Sequence, residues 1–233
     1  MKIDSGRRPS PERAKRPTSR LKMLPSKEYF CAVEELRALV WGYSLPVIGG
    51  IYRRRLELAL DLCTGGKRVL EIGFGPGFLF PNLSEIYHEI HGIDLEADAA
   101  SVAQVFARRG ITTYLQDGTA LALPYPDDHF DTVIAMSILE HLHPEENLVA
   151  AAEIARVLRP HGQLIYGVPV ERPLMRFIFR HIFRRDIEQY HFSTEIDVRR
   201  AVDRFLTPVQ HIDLRPLPFT GSIYELGHLK KIN

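Results

Sequence analysis

The sequence predicts an α/β fold: a mostly parallel sheet with helices on both faces. Three observations carry that prediction. From Arg68 to Val168, short β-branched apolar runs alternate with segments of helical periodicity. A glycine-dense turn, Gly73-x-Gly75-x-Gly77, follows the first of those runs. The run Phe130–Met136 is near-continuously apolar, as a central parallel strand buried on both faces should be.

The elements follow in order. Residues 27–41 place Phe30, Val33, Leu36, Leu39 and Val40 near one helical face. Gly42 to Gly50, with Pro46, breaks that helix, and a second runs from Ile51 to Leu62 with Arg53, Arg54 and Arg55 on its first turns. Arg68–Ile72 is the first strand. The glycine turn then opens into a helix marked by Leu79, Leu83 and Ile86, with Pro81 in its first turn, where a missing N–H costs little. Glu89–Asp94 is the second strand, Glu96–Arg109 a helix stopped by Gly110, and Ile111–Leu115 the third strand. After the fourth strand come a helix from Pro144 to Leu158, a stop at Pro160-His-Gly162, and a fifth strand over Gln163–Val168. Glu195–Phe205 is a helix capped by Ser193 or Thr194, and Val209–Leu214 and Ser222–Leu229 are two closing strands.

Composition narrows the class. The chain has 233 residues, 45% hydrophobic and 25% charged, enough to bury a large core in one domain. Its net charge of +1 gives no global field that points to nucleic acid. Residues 1–27, however, hold nine Lys or Arg against Asp4 and Glu12. Residues 1–25 lack any apolar period and read as a disordered basic tail. Cys31 and Cys63 have neither disulfide-framework nor metal-motif spacing, which fits a reduced, cytoplasmic protein, and the sequence suggests no metal site. The apolar stretch between Arg37 and Arg53 is too short and too broken by Gly and Pro to span a bilayer.

Strand, glycine turn and helix start make a nucleotide-sized site at the carboxyl end of a strand. A dinucleotide site wants G-x-G-x-x-G, but Phe78 stands where the third glycine belongs, and that glycine comes one residue early. The stretch Glu71-x-Gly73-x-Gly75-x-Gly77 resembles the first motif of class I S-adenosylmethionine-dependent methyltransferases. Further stretches resemble later family motifs in order: Gly92–Glu96, Gln116–Pro124, Phe130–Leu142 with its Leu-Glu-His-Leu ending, and Arg156–Leu164 with His161 in place of a glycine. The nearest group is the methyltransferase type 11-like set of small-molecule and lipid enzymes.

The resemblance implies a Rossmann-like seven-stranded, mostly parallel sheet with its last strand antiparallel. It divides residues 26–233 into N-terminal helices or lid (27–62), a cofactor-binding core (65–168) and a substrate-covering insertion (170–192). It implies S-adenosyl-L-methionine as cofactor and assigns positions to it. The backbone of Gly73, Gly75 and Gly77 lies against the amino-acid part, with Glu71 near the ammonium. Asp94 accepts from the ribose hydroxyls, and Leu95 packs on adenine. Asp117, with Gly118 and Thr119 beside it, reads the adenine amino group, and Met136 and Ser137 face the methionine part.

Methyl transfer to nitrogen or carbon needs no strong base, whereas a hydroxyl often does. His141, His143, Tyr190 and His191 are the base candidates, and His191 is preferred as the catalytic, acceptor-side residue; Arg172 and Arg176 are weaker candidates. Residues 174–185 alternate bulky apolar residues with arginines, as in a lid over an apolar pocket or a segment at a membrane surface. The expected partner is a small-molecule or lipid acceptor, not nucleic acid, with peripheral membrane contact as an open alternative. Two other functions stay open: a nicotinamide-dependent oxidoreductase, and a non-catalytic protein that binds S-adenosylmethionine.

Overall fold

The computed structural model describes residues 20–30, 37–46, 48–170, 191–215 and 221–232. Most of the basic tail, most of the 170–192 insertion, Arg172, Arg176 and Tyr190 lie outside the described residues.

The chain folds in the order α1 (Ser26–Phe30), α2 (Arg37–Ser44), α3 (Ile48–Leu62), β1 (Gly66–Ile72), α4 (Phe80–Leu83), β2 (Tyr87–Asp94), α5 (Ala99–Ala107), β3 (Thr113–Asp117) and β4 (Phe130–Met136). A 3-10 turn (Leu139–His141), α6 (Pro144–Val157), β5 (Leu158–Pro169), α7 (Glu195–Asp203), β6 (Thr207–Leu214) and β7 (Tyr224–Lys230) complete it. Seven strands form one sheet in the order β3-β2-β1-β4-β5-β7-β6. β7 runs antiparallel to both its neighbours, β5 and β6, and the other pairings are parallel. The expected last antiparallel strand is therefore present, inserted between β5 and β6.

Alternation along the strands separates two cores. Val69 and Ile134 face one side, with Tyr43, Leu56 and Leu60 from the N-terminal helices and Val102 and Phe106 from α5. Leu70, Ile72, Val133 and Ala135 face the other, with Ile154 of α6 and Val198 of α7. Burying each such large side chain is worth about 1.5–3 kcal/mol. The N-terminal helices are thus part of the core of one face. Cys63 lies in the same core, where burial pushes its thiol up to about 12, so it is no nucleophile at neutral pH.

Some boundaries differ from the sequence reading. The helix after the glycine turn is a single turn, Phe80–Leu83, with Pro at its start. α5 begins later than expected because the Asp98 side chain caps it, accepting from the Ser101 N–H at 3.0 Å. The stop at 160–162 lies inside β5: His161 takes a left-handed φ of 63°, and its N–H pairs with the Lys231 carbonyl, so pairing resumes at once. Thr194, not Ser193, caps α7.

Candidate functional site

β1 and β4 are adjacent, and the chain leaves them in opposite directions across the sheet. The crevice beyond the carboxyl ends of strands at such a switch point is where open α/β sheets hold ligands. Pairing sets the levels there: Ile72 lies beside Ala135 and Ile93, and Asp94 lies beside Asp117. The structure therefore brings the glycine turn, Asp94, Asp117, Met136 and Ser137 to one edge of the sheet.

The glycine turn is shaped by its own protein neighbours. Gly73, Gly75 and Gly77 all have left-handed φ values, of 72°, 49° and 76°. A Cβ at Gly73 would fall 1.9 Å from Ile138 Cδ1, and one at Gly77 would fall 2.5 Å from Phe80 and 2.6 Å from Phe106. At these two positions, then, a side chain would collide with the protein itself. Phe78 meets Tyr29 edge-on at 4.9 Å and Tyr43 at a tilt at 4.3 Å between ring centres, which fastens α1 and α2 to the turn.

Asp94 organises the loop after β2. Its Oδ2 accepts from the Gly75 N–H at 2.8 Å, and its Oδ1 accepts from Glu96 and Ala97 at 2.8 and 3.0 Å. A carboxylate offers about four lone-pair sites, so acceptor capacity remains for a ligand's hydroxyls. Leu95 beside it is 73% exposed, an apolar side chain held out at the site's edge. Asp117 is exposed, the Gly118 N–H pairs with the Asp94 carbonyl at 2.9 Å, and Thr119 Oγ1 accepts from Leu121. A groove of about 480 Å³ lies between the start of α5 and β3, lined by Asp98, Tyr114, Gln116 and Asp117 among others, and shares only Asp117 with the predicted set.

Glu71 is only 5% exposed, and its Oε2 is buried with no hydrogen-bond partner among the described residues. Burial, and then the negative charge of Asp94, pushes its carboxyl well above the usual range. A nearby cationic group would relieve both effects.

A second cluster escaped the sequence reading. Arg55 of α3 donates from Nη1 to Ser137 Oγ at 2.8 Å and from Nη2 to the Tyr43 hydroxyl at 3.0 Å. Its guanidinium carbon lies 4.8 Å from the Tyr52 ring centre and 5.4 Å from that of Tyr224. The Tyr224 hydroxyl shares a 2.9 Å hydrogen bond with Ser137 Oγ, and Ser137 holds a left-handed φ of 58°. Arg55 Nε is buried and lacks a partner among the described residues. The three consecutive arginines were the available signal; which of them turns inward depends on residues 82 positions away.

Among the base candidates, His191 meets His141, their rings 5.1 Å apart at 69°. His143 stands apart from that pair, starting α6, where its N–H donates to Glu146, and stacking on Phe192 at 4.4 Å.

Comparison with known proteins agrees with this geometry. A family model described as "Methyltransferase domain" matches residues 70–166. The uncharacterized methyltransferase YcgJ of Bacillus subtilis is 32% identical over 126 residues, covering 52% of this chain and 49% of the relative. A ubiquinone biosynthesis O-methyltransferase of Albidiferax ferrireducens is 34% identical over 118 residues, covering 48% of this chain and 46% of the relative. The chain thus spans about half the length of the curated relatives it matches. In fold, it is similar to the N-methyltransferase NodS of Bradyrhizobium japonicum in complex with S-adenosyl-L-homocysteine, with a TM-score of 0.64 and 17% identity over 84% of this chain and 98% of that one. Residues 70–166 thus match a methyltransferase-domain family, and the surrounding fold is similar to that of a solved methyltransferase.

Proposed function

We propose that this protein transfers a methyl group from S-adenosyl-L-methionine to a small-molecule or lipid acceptor. One observation carries the reading. The crevice at β1 and β4 is flanked by a buried acid, Glu71, and a part-buried guanidinium, Arg55, and each has a polar atom with no hydrogen-bond partner among the described residues. That is the complement of an α-amino acid's ammonium and carboxylate, the end of the cofactor that a dinucleotide lacks.

The cofactor supplies an already activated methyl group on a sulfonium. The protein's work is orientation and exclusion of water. Glu71 holds the ammonium, and Arg55, fixed by Ser137 and Tyr43, receives the carboxylate. Asp94, already bound to the turn through Gly75, takes the ribose hydroxyls, with Leu95 and Asp117 at the adenine. Met136 lines the approach from β4 beside Ser137. His191, paired with His141, stands on the acceptor side. The ubiquinone-biosynthesis relative supports a small-molecule or lipid acceptor.

Phe78 weighs against the oxidoreductase alternative, because the position where a dinucleotide site needs glycine is filled by a ring packed on Tyr29 and Tyr43. No helix among the described residues is long and apolar enough to cross a membrane. Calorimetric titration tests the reading. S-adenosylmethionine should bind and NAD should not, and Asp94→Ala should weaken cofactor binding by about a hundredfold, since a doubly accepting charged partner is lost. Tight NAD binding without S-adenosylmethionine binding would reverse the assignment. Cofactor binding with no methyl incorporation into cell extracts would leave a non-catalytic binding protein.

A further inference from the structure

The end of β4 carries a second constellation. One ligand atom each from Glu140, His141 and His191 lies within 4.8 Å of the other two. Glu140 is 2% exposed, His141 is exposed and His191 is half-buried, so the trio forms a wall with a buried acid at its base and imidazoles at its mouth. Two imidazoles and one carboxylate on one side of an ion leave the other positions open, as in catalytic zinc and non-haem iron sites. Metal–ligand bonds of about 2.0–2.2 Å put such atoms about 3–4 Å apart, so closing the set asks for movements of about 1–2 Å.

The surroundings hold the three together. Glu140 and His141 share the 3-10 turn that leaves β4, and His191 arrives fifty residues later. The Phe192 and Ser193 N–H groups both donate to the Glu140 carbonyl, at 2.9 and 3.2 Å. Buried Asn147 donates from Nδ2 to the Leu139 carbonyl and to Ser193 Oγ, both at 3.0 Å, and Ser193 Oγ donates to the Leu142 carbonyl at 2.7 Å. His143 stacks on Phe192 from the outside. Such bracing of a ligand set from behind is what keeps an open coordination site in shape.

We propose that Glu140, His141 and His191 bind one divalent transition-metal ion on the acceptor side of the site. Its role in the reaction rests on the methyltransferase reading. An acceptor hydroxyl bound to the ion ionises more readily. Its proton passes to solvent water, the freed oxygen pair forms the O–CH3 bond as the S–CH3 bond breaks, and the breaking bond's electrons stay on sulfur. His191 is then a ligand instead of the general base that the sequence suggests.

The test uses the full-length, untagged, metal-stripped chain titrated with Co²⁺, followed by calorimetry and by visible d–d absorption. One Co²⁺ should bind per chain. His141→Gln and His191→Gln should each weaken it about tenfold or more and change the absorption bands. Thermal unfolding of the metal-free proteins shows whether each variant is folded, and exposed His141 is the substitution the fold tolerates best. No saturable Co²⁺ binding, or binding and spectra unchanged in folded variants of both histidines, overturns the site. S-adenosylmethionine is titrated separately. Co²⁺ binding without cofactor binding upholds the metal site and removes only the methyltransferase reading.

Discussion

The two halves of the crevice are built in different ways. On the β1–β2–β3 side, each predicted cofactor residue lies between Glu71 and Thr119, at the carboxyl end of a strand or in the loop that follows it. On the β4–β5–β7 side, the site is assembled from parts far apart: Arg55 reaches Ser137 across 82 positions, and Ser137 reaches Tyr224 across 87. The first half is built from successive strand–loop units, tied to one another through Asp94. The second exists only when the sheet and the N-terminal helices are both in place.

Phe78 is where the two halves are joined, so its loss should have the largest effect. Phe78→Ala removes a buried ring that holds α1 and α2 on the glycine turn, and should cost about 3–5 kcal/mol of stability, read from the urea midpoint. A loss below about 1 kcal/mol would mean that the N-terminal helices are fastened elsewhere. Phe78→Gly, which restores the dinucleotide glycine pattern, should still bind no NAD.

Arg55 probes the distant half alone. Arg55→Met should lower S-adenosylmethionine affinity about tenfold to a hundredfold by calorimetry, the worth of a charged hydrogen bond. Arg55→Lys should not restore it, because one ammonium cannot reach Ser137, the Tyr43 hydroxyl and a carboxylate together. Unchanged affinity in Arg55→Met would confine cofactor binding to the local half.

Glu71 gives the smallest effect and the most specific sign. Its folded-state value is raised, so the folded protein keeps a proton that the unfolded chain gives up, and stability falls as pH rises through that interval. Glu71→Gln should flatten this dependence, making the cofactor-free protein more stable than wild type above neutrality while weakening the cofactor about tenfold. Wild-type affinity should rise with pH as the carboxylate forms. An affinity in Glu71→Gln equal to wild type at all pH values would take the ammonium away from Glu71.

This asymmetry also explains what could be read in the sequence. The alternation of strands and helices, the glycine turn and Asp94 follow from periodicity and loop residues, which act over a few positions, whereas the strand order comes from the fold. The turn glycines were legible as well, although the structure adds that Ile138, Phe80 and Phe106 demand them at Gly73 and Gly77. Arg55 was seen only as one of three arginines, because its inward turn depends on Tyr43, Ser137 and Tyr224. His191 was singled out in the sequence without its neighbours, and only the fold sets it beside His141 and Glu140. Boundaries differ where a cap or a left-handed residue intervenes: Asp98 starts α5 late, and His161 lies inside a β5 that begins at Leu158.

The position of β7 sets the timing of assembly. The ribosome makes β7 after β6, yet β7 lies between β5 and β6, and all its residues from Tyr224 to Leu229 are buried. Until those residues emerge, β5 presents an open apolar edge and β6 has no sheet to join, a state exposed to mispairing with other chains. Tyr224, the first residue of β7, also braces Ser137 in the crevice. β7 therefore completes the sheet and the site in the same event, and a chain stalled before it carries the whole glycine turn while Arg55 lacks the Tyr224 ring and Ser137 lacks its brace.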